Sequence, residues 1–151
     1  MARQSLQPSR DPVDYDFTHR LRTRFAETDA MGIIHHAAYL PYLEEARVAY
    51  LRAIGHPYDT VRAGSDGSGA GGRDFAVLEA SVQYRKPLRF DDEVDVSLRI
   101  GAVTGTTFQI AYLVSSGGVA RATAVTVHGC VDGRGRPTRL PAWVVAEFGQ
   151  A

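Results

Sequence analysis

The chain has one cysteine, Cys130, in 151 residues, so it can form no intrachain disulfide, and a reducing compartment suits it. Neither sign of charge is in excess: 17 Lys and Arg balance 17 Asp and Glu, which removes the bulk electrostatic case for nucleic acid or an anionic membrane surface. Lys86 is the only lysine, a skew better explained by coding bias than by a phosphate-binding surface. No apolar run approaches the roughly 20 residues that span a bilayer, so no membrane insertion is expected. Residues 1–16 are polar, carry Pro8 and Pro12, and hold no apolar stretch of the kind a secretory signal needs. The cytoplasm is therefore the expected compartment.

The composition is that of an ordinary globular domain, 44% hydrophobic and 23% charged. Residues 1–13 read as a flexible tail and 14–151 as a single domain, large enough for one core but not two. Between residues 15 and 25, Tyr15, Phe17, His19, Leu21 and Phe25 alternate with arginines and Thr18, the period of a half-buried strand. From 36 to 54 the period changes: Tyr39, Leu40, Leu43, Arg47, Tyr50, Leu51 and Ile54 recur at helical spacing, and Gly55 before His56-Pro57 stops the run. The Gly-rich stretch 64–72 has no Gly-Lys-Ser/Thr ending and no helix after it, so it reads as a mobile connection and not as a phosphate loop. Four strands follow, over 75–84, 94–100, 108–114 and 119–131, separated by short Gly-containing turns that imply antiparallel hairpins. A short terminal helix over 140–148, with Pro141 in its first turn, completes the chain. The order predicts an α+β fold: an antiparallel five-stranded sheet with one long helix on one face. Such a sheet leaves its other face and its edges under-covered, so self-association to a homodimer or homotetramer is expected.

The stretch joining the first strand to the long helix carries the chemistry. It contains Asp29, Gly32, which permits tight or positive-φ backbone, and then His35 and His36 where the helix begins. The first turn of a helix has N–H groups without intrahelical partners, and a carbonyl placed there meets an oxyanion hole. Asp29 is close enough in sequence to serve as general base or as nucleophile, and sequence leaves both open. A metal at His35 and His36 is disfavoured, because adjacent helical residues diverge by about 100° and no third ligand stands at useful spacing. Glu44 and Glu45 read as a solvated helix face and Cys130 as a buried strand residue, not as catalytic groups.

Glu27-Thr28-Asp29-Ala30-Met31-Gly32-Ile33-Ile34-His35-His36-Ala37-Ala38-Tyr39 matches an Asp-x-x-Gly-(Ile/Val)-(Ile/Val)-(Tyr/His)-His-x-x-Tyr signature. On it, and on weaker similarity at 42–47, 82–92 and 139–148, the chain resembles the hotdog-fold acyl-CoA thioesterases, in the branch of 4-hydroxybenzoyl-CoA and Tol–Pal-associated thioesterases. The resemblance implies a hotdog fold, the sheet wrapped around one long central helix. It implies hydrolysis of a short-chain or aromatic acyl-CoA, or of an acyl carrier protein thioester. No separate cofactor is implied, since coenzyme A arrives as part of the substrate. Asp29, His36 and Gly32 become the expected catalytic positions, with the His36 N–H polarising the thioester carbonyl. Phe25, Ile34, Tyr39, Arg85, Lys86, Thr104, Gly105 and Thr106 become the expected substrate contacts, Arg85 and Lys86 suiting coenzyme A phosphates. Relatives often have Asn or Ser where Ala38 stands, and some have Tyr at Phe25; both departures bear on substrate choice. Two rivals remain: an enoyl-thioester hydratase or dehydratase, whose Asn-Pro beside the acid is replaced here by Ala30-Met31-Gly32, and a non-catalytic acyl-thioester-binding protein.

Overall fold

A computed structural model describes residues 4–64 and 71–149. Most of the Gly-rich stretch, 65–70, lies outside the described residues, as do 1–3 of the expected tail. Five strands form one antiparallel sheet: β1 (Phe17–Arg22), β2 (Asp74–Tyr84), β3 (Glu93–Gly101), β4 (Thr107–Ser116) and β5 (Val119–Val131). Their spatial order is β1-β3-β4-β5-β2, so β1 and β2 are the two edges. The hairpin from β4 to β5 turns on Gly117 and Gly118 at φ 59° and 76°, and a two-residue turn of this hand needs positive φ at both positions.

The long helix α1 (Tyr39–Ala53) lies on one face of this sheet, packed most closely on β1 and β3. Its buried stripe is Tyr39, Tyr42, Leu43, Ala46, Arg47, Tyr50 and Leu51, spaced at three and four residues. Leu40, expected in that stripe, is instead 46% exposed, while Tyr42 and Ala46 fill the face. Below the helix, Val94, Val96 and Leu98 from β3 and Ile110, Tyr112 and Val114 from β4 form the sheet side of the core. The rings of Tyr50 and Phe17 stack at 5.0 Å where α1 crosses β1. Two short helices complete the chain: α2 (Tyr58–Ala63) after the Gly55 stop, and α3 (Ala142–Phe148) near the C-terminus.

Three features depart from the sequence reading. The helix opens as a 3-10 turn, His36–Ala38, because the His35 ring Nδ1 accepts the Ala37 N–H and the His35 carbonyl accepts that of Ala38. Strand β2 carries a bulge at Leu78, since Val77 pairs with His128 but Glu79 with Val127. The N-terminal segment is not free: the Ser5 and Leu6 N–H groups donate to Gln109 Oε1 at 2.8 and 3.1 Å, and the Tyr15 hydroxyl donates to the Ser9 carbonyl at 2.6 Å. Residues 4–8 thus cover part of the sheet face that α1 leaves open, where Gln4, Gln7 and Pro8 approach Thr123 and Val125.

Candidate active site

After β1 the chain is anchored before it turns. The buried Thr23 hydroxyl donates to the Arg89 carbonyl at 2.6 Å and accepts the Asp92 N–H at 2.9 Å. A 3-10 turn over Phe25–Glu27 follows, and Glu27 then ties the connection to the helix. Its carboxylate accepts the Arg24 N–H at 2.8 Å and the Tyr42 hydroxyl at 2.6 Å, while its carbonyl accepts the His35 N–H at 2.8 Å. Partial burial opposes ionisation of Glu27, but the hydrogen bonds from Tyr42 and Arg24 outweigh it and hold the carboxyl below its ordinary range. The same bond, added to burial, pushes the Tyr42 phenol up.

Asp29 heads a closed five-residue loop. Its N–H donates to the Ile33 carbonyl at 2.8 Å, and its carbonyl accepts the Gly32 N–H at 3.0 Å. Its Oδ1 accepts the N–H groups of Met31 at 2.9 Å and Ile33 at 3.3 Å. Gly32 closes the turn at φ +79°, a conformation costly for any residue with a Cβ. Among the described residues nothing bonds to Oδ2. One carboxylate oxygen is spent on the loop, and the other is free.

The backbone donors that follow can be accounted for individually. The Ile34 N–H donates to the Leu88 carbonyl, that of His35 to Glu27, that of Ala37 to the His35 ring and that of Ala38 to the His35 carbonyl. Among the described residues only the His36 N–H in this run has no acceptor. The His36 carbonyl accepts the Tyr84 hydroxyl at 2.8 Å, which holds the next peptide unit, joined to that N–H through the His36 Cα. A cavity of about 380 Å³ lies here, with Asp29, Ile34, His36 and Tyr39 on one wall and Tyr84, Arg85 and Lys86 on the other. The Tyr39 and Tyr84 rings meet edge to face at 4.9 Å across it. Among the described residues neither Arg85 nor Lys86 forms an ion pair, and the Arg85 guanidinium is turned to Thr123 and Gln83 at 3.0 Å.

The other expected site residues lie elsewhere. Phe25 is 74% exposed and meets Phe90 edge-on at 5.7 Å, because the 3-10 turn swings it away from the cavity. Gly32 shapes the loop without lining the space. Thr104, Gly105 and Thr106 sit at the opposite end of the sheet, where the Gly105 carbonyl accepts the Leu140 N–H at 2.9 Å. Strand β3 runs from the Asp29 end to that turn, and its nine residues span about 30 Å, so one chain cannot bring the two together. Sequence reading missed Tyr84, whose partner, the His36 carbonyl, is 48 residues away. Its position beside Arg85-Lys86-Pro87, at the end of a strand otherwise placed correctly, was the one available signal.

Comparison with known proteins assigns the chain to the thioester hydrolases. The chain is 37% identical over 129 residues to a putative esterase of Aquifex aeolicus, covering 85% of this chain and 94% of that one. It is 30% identical over 136 residues to the acyl-CoA thioester hydrolase YbgC of Escherichia coli, covering 89% and 96%. Among solved structures, a hypothetical protein from Aquifex aeolicus superposes with a TM-score of 0.76 at 36% identity, over 87% of this chain and 98% of that one. The chain belongs to the thioesterase-like superfamily, whose family profile matches residues 23–148.

Proposed function

We propose that this protein is an acyl-CoA thioesterase that hydrolyses a short-chain or aromatic acyl-CoA to the free acid and coenzyme A. The observation that carries the reading is the pairing of the unspent His36 N–H with the free Oδ2 of Asp29 on the wall of one cavity. The thioester oxygen accepts from the His36 N–H, and as the carbonyl becomes tetrahedral its negative charge is held there. Removing a donor of this kind costs roughly 3–4 kcal/mol of barrier in other enzymes. Asp29 either takes a proton from the attacking water and returns it to the departing sulfur, or attacks the carbonyl itself. In the second route the C–S bond breaks and expels the coenzyme A thiolate, which is protonated by water. Water then opens the mixed anhydride to the free acid and the Asp29 carboxylate. Lys86, at the mouth and without a carboxylate partner among the described residues, suits a phosphate of coenzyme A. Arg85 suits a second once its guanidinium swings from Thr123 and Gln83. Relatives named as acyl-CoA thioester hydrolase and 1,4-dihydroxy-2-naphthoyl-CoA hydrolase support this substrate class, and the signature around Asp29 supports the 4-hydroxybenzoyl-CoA and Tol–Pal-associated branch.

The fold reading is the hotdog arrangement, with α1 as the helix the sheet encloses and the chain working as a homodimer or homotetramer. Edge strand β2 exposes Val77 and Leu78 at 51% and 50%, a stretch suited to pairing with a second copy. Among the described residues no helix is long and apolar enough to cross a membrane, and we place the enzyme in the cytoplasm. Coenzyme A, not acyl carrier protein, is the carrier we favour, given the cations at the mouth.

The test is Asp29→Asn assayed by free-thiol release on a panel of short and aromatic acyl-CoAs. A loss of about 10²-fold or more in kcat/KM is expected, and a variant as fast as the parent would remove Asp29 from the mechanism. Loss of the double bond from a crotonyl thioester without thiol release would instead identify a hydratase.

A further inference from the structure

The Ala37 N–H and the His36 carbonyl are the two ends of one peptide unit, and a different side chain holds each. The His35 ring Nδ1 accepts the N–H at 3.0 Å, and the Tyr84 hydroxyl donates to the carbonyl at 2.8 Å. The unit before it carries the free His36 N–H, and its own carbonyl, that of His35, accepts the Ala38 N–H at 2.9 Å. Three bonds therefore set the direction of the proposed oxyanion donor. One of the three ends on a titratable ring.

A backbone N–H only donates, so the Nδ1 that receives it keeps its lone pair and the proton of the neutral ring is on Nε2. The ring is exposed, and among the described residues Nε2 has no partner. A second proton has only Nδ1 to enter, where it turns the acceptor into a donor facing another donor. Protonation of this ring and its bond to Ala37 exclude each other.

We infer that His35 is a positioning residue whose neutral ring aims the His36 N–H, and that acid releases it. Once the ring is protonated, the peptide joining His36 to Ala37 is held at one end only, and the oxyanion donor loses its setting. The inference rests on the thioesterase reading and adds to it an acid limit on turnover. The bond acts on the donor that stabilises the transition state, so its loss falls on kcat more than on KM. The signature around Asp29 admits Tyr at this position, and a Tyr ring has no acceptor where Nδ1 stands. The acid sensitivity therefore comes with His35.

Other charged groups surround the turn. Glu27 and Asp29 come from the preceding connection, Tyr39 from α1, and Tyr84, Arg85 and Lys86 from β2 and the segment after it. Carboxylates, phenols and the cations of Arg and Lys titrate outside the imidazole range. The His36 ring, stacked on His35 at 4.1 Å, is the neighbour that shares that range.

The experiment follows kcat and KM from about pH 8 down to about pH 5, by thiol release from the fastest ester of the acyl-CoA panel. Alongside it, the hydrogen-exchange protection of the Ala37 amide is measured in the free protein. In the parent, kcat should fall about fivefold across that window with KM changed less than about twofold, and Ala37 protection should fall with the same midpoint. His35→Asn places a non-titrating oxygen where Nδ1 stands and should keep both kcat and protection throughout. His35→Phe keeps the ring stack without the acceptor, and should show the low kcat and the unprotected amide at every pH. His36→Asn should retain the acid limb. A limb that survives in His35→Asn or vanishes in His36→Asn would overturn the inference, as would an Ala37 amide indifferent to pH. Turnover without an acid limb would remove this inference alone, whereas absence of thiol release at every pH would remove the thioesterase reading with it.

Discussion

Two polar clusters flank the start and the middle of α1, and they are built to opposite rules. At the start, Asp29 and the His36 peptide sit on an accessible wall, with one carboxylate oxygen and one N–H left unbonded among the described residues. Two to three turns further on, Tyr112, Thr126 and His128 form a chain of hydrogen bonds at 2.8 and 2.7 Å, each of the three at most 2% exposed. The first cluster keeps its bonding capacity for a reaction. The second uses most of its capacity on itself and fixes where the helix lies on the sheet. Reactivity here follows from what the surroundings leave unpaired, not from residue type: the chain has a histidine at each place, and only the backbone of the first is poised to act.

The contrast can be broken most sharply through the buried chain. Burial, aided by the neighbouring Arg47 charge, holds the His128 imidazole down at about 3, so it stays neutral in the folded protein. The unfolded chain protonates near the ordinary value of about 6.5. Between these two values the unfolded state binds the extra proton, so stability is complete above the upper one and falls as pH drops toward the lower. Denaturant titrations should show a loss of about 1.4 kcal/mol per pH unit across that window from this group, and His128→Gln should flatten the slope. A parent slope equal to that of the variant would mean the histidine is not buried neutral.

A somewhat smaller effect is expected from Tyr42→Phe. It deletes the 2.6 Å bond to the Glu27 carboxylate and should cost about 1.5–3 kcal/mol in denaturant unfolding at pH 7. The Glu27 carboxyl is held below its ordinary value, so its contribution is present above about 4.5 and is lost as pH falls through the depressed folded value. The cost of Tyr42→Phe should therefore shrink in acid, and a cost independent of pH would contradict the assignment. Smaller again is Tyr84→Phe, which removes the 2.8 Å bond to the His36 carbonyl without touching the proposed reacting groups. About 1 kcal/mol is expected, read as a fivefold or so fall in kcat with little change in KM. A change confined to KM would make Tyr84 a substrate contact instead of a positioning residue.

How much of this was legible beforehand divides along the same line. Strands β3 to β5 and their turns could be read because alternation and paired glycines are local signals, and the Asp29–His36 segment because its signature is compact. The interior chain could not be read: the spacing put Arg47 on the helix stripe, but Tyr112 and His128 look like two ordinary strand residues until the packing of α1 brings the three together. The Thr104–Thr106 turn was carried over from relatives as a substrate contact, and within one chain the sheet holds it at the other end from Asp29. The bulge at Leu78 leaves no local mark, since one extra residue in an apolar run does not alter its composition.

The N-terminal segment has a practical consequence. Because Ser5 and Leu6 are tethered to Gln109, and their neighbours shield Val125, shortening the protein to its first recognisable strand would strip a strap from the back of the sheet. Preparations trimmed in that way should be stickier and less soluble than the intact chain, and affinity handles belong at the opposite terminus.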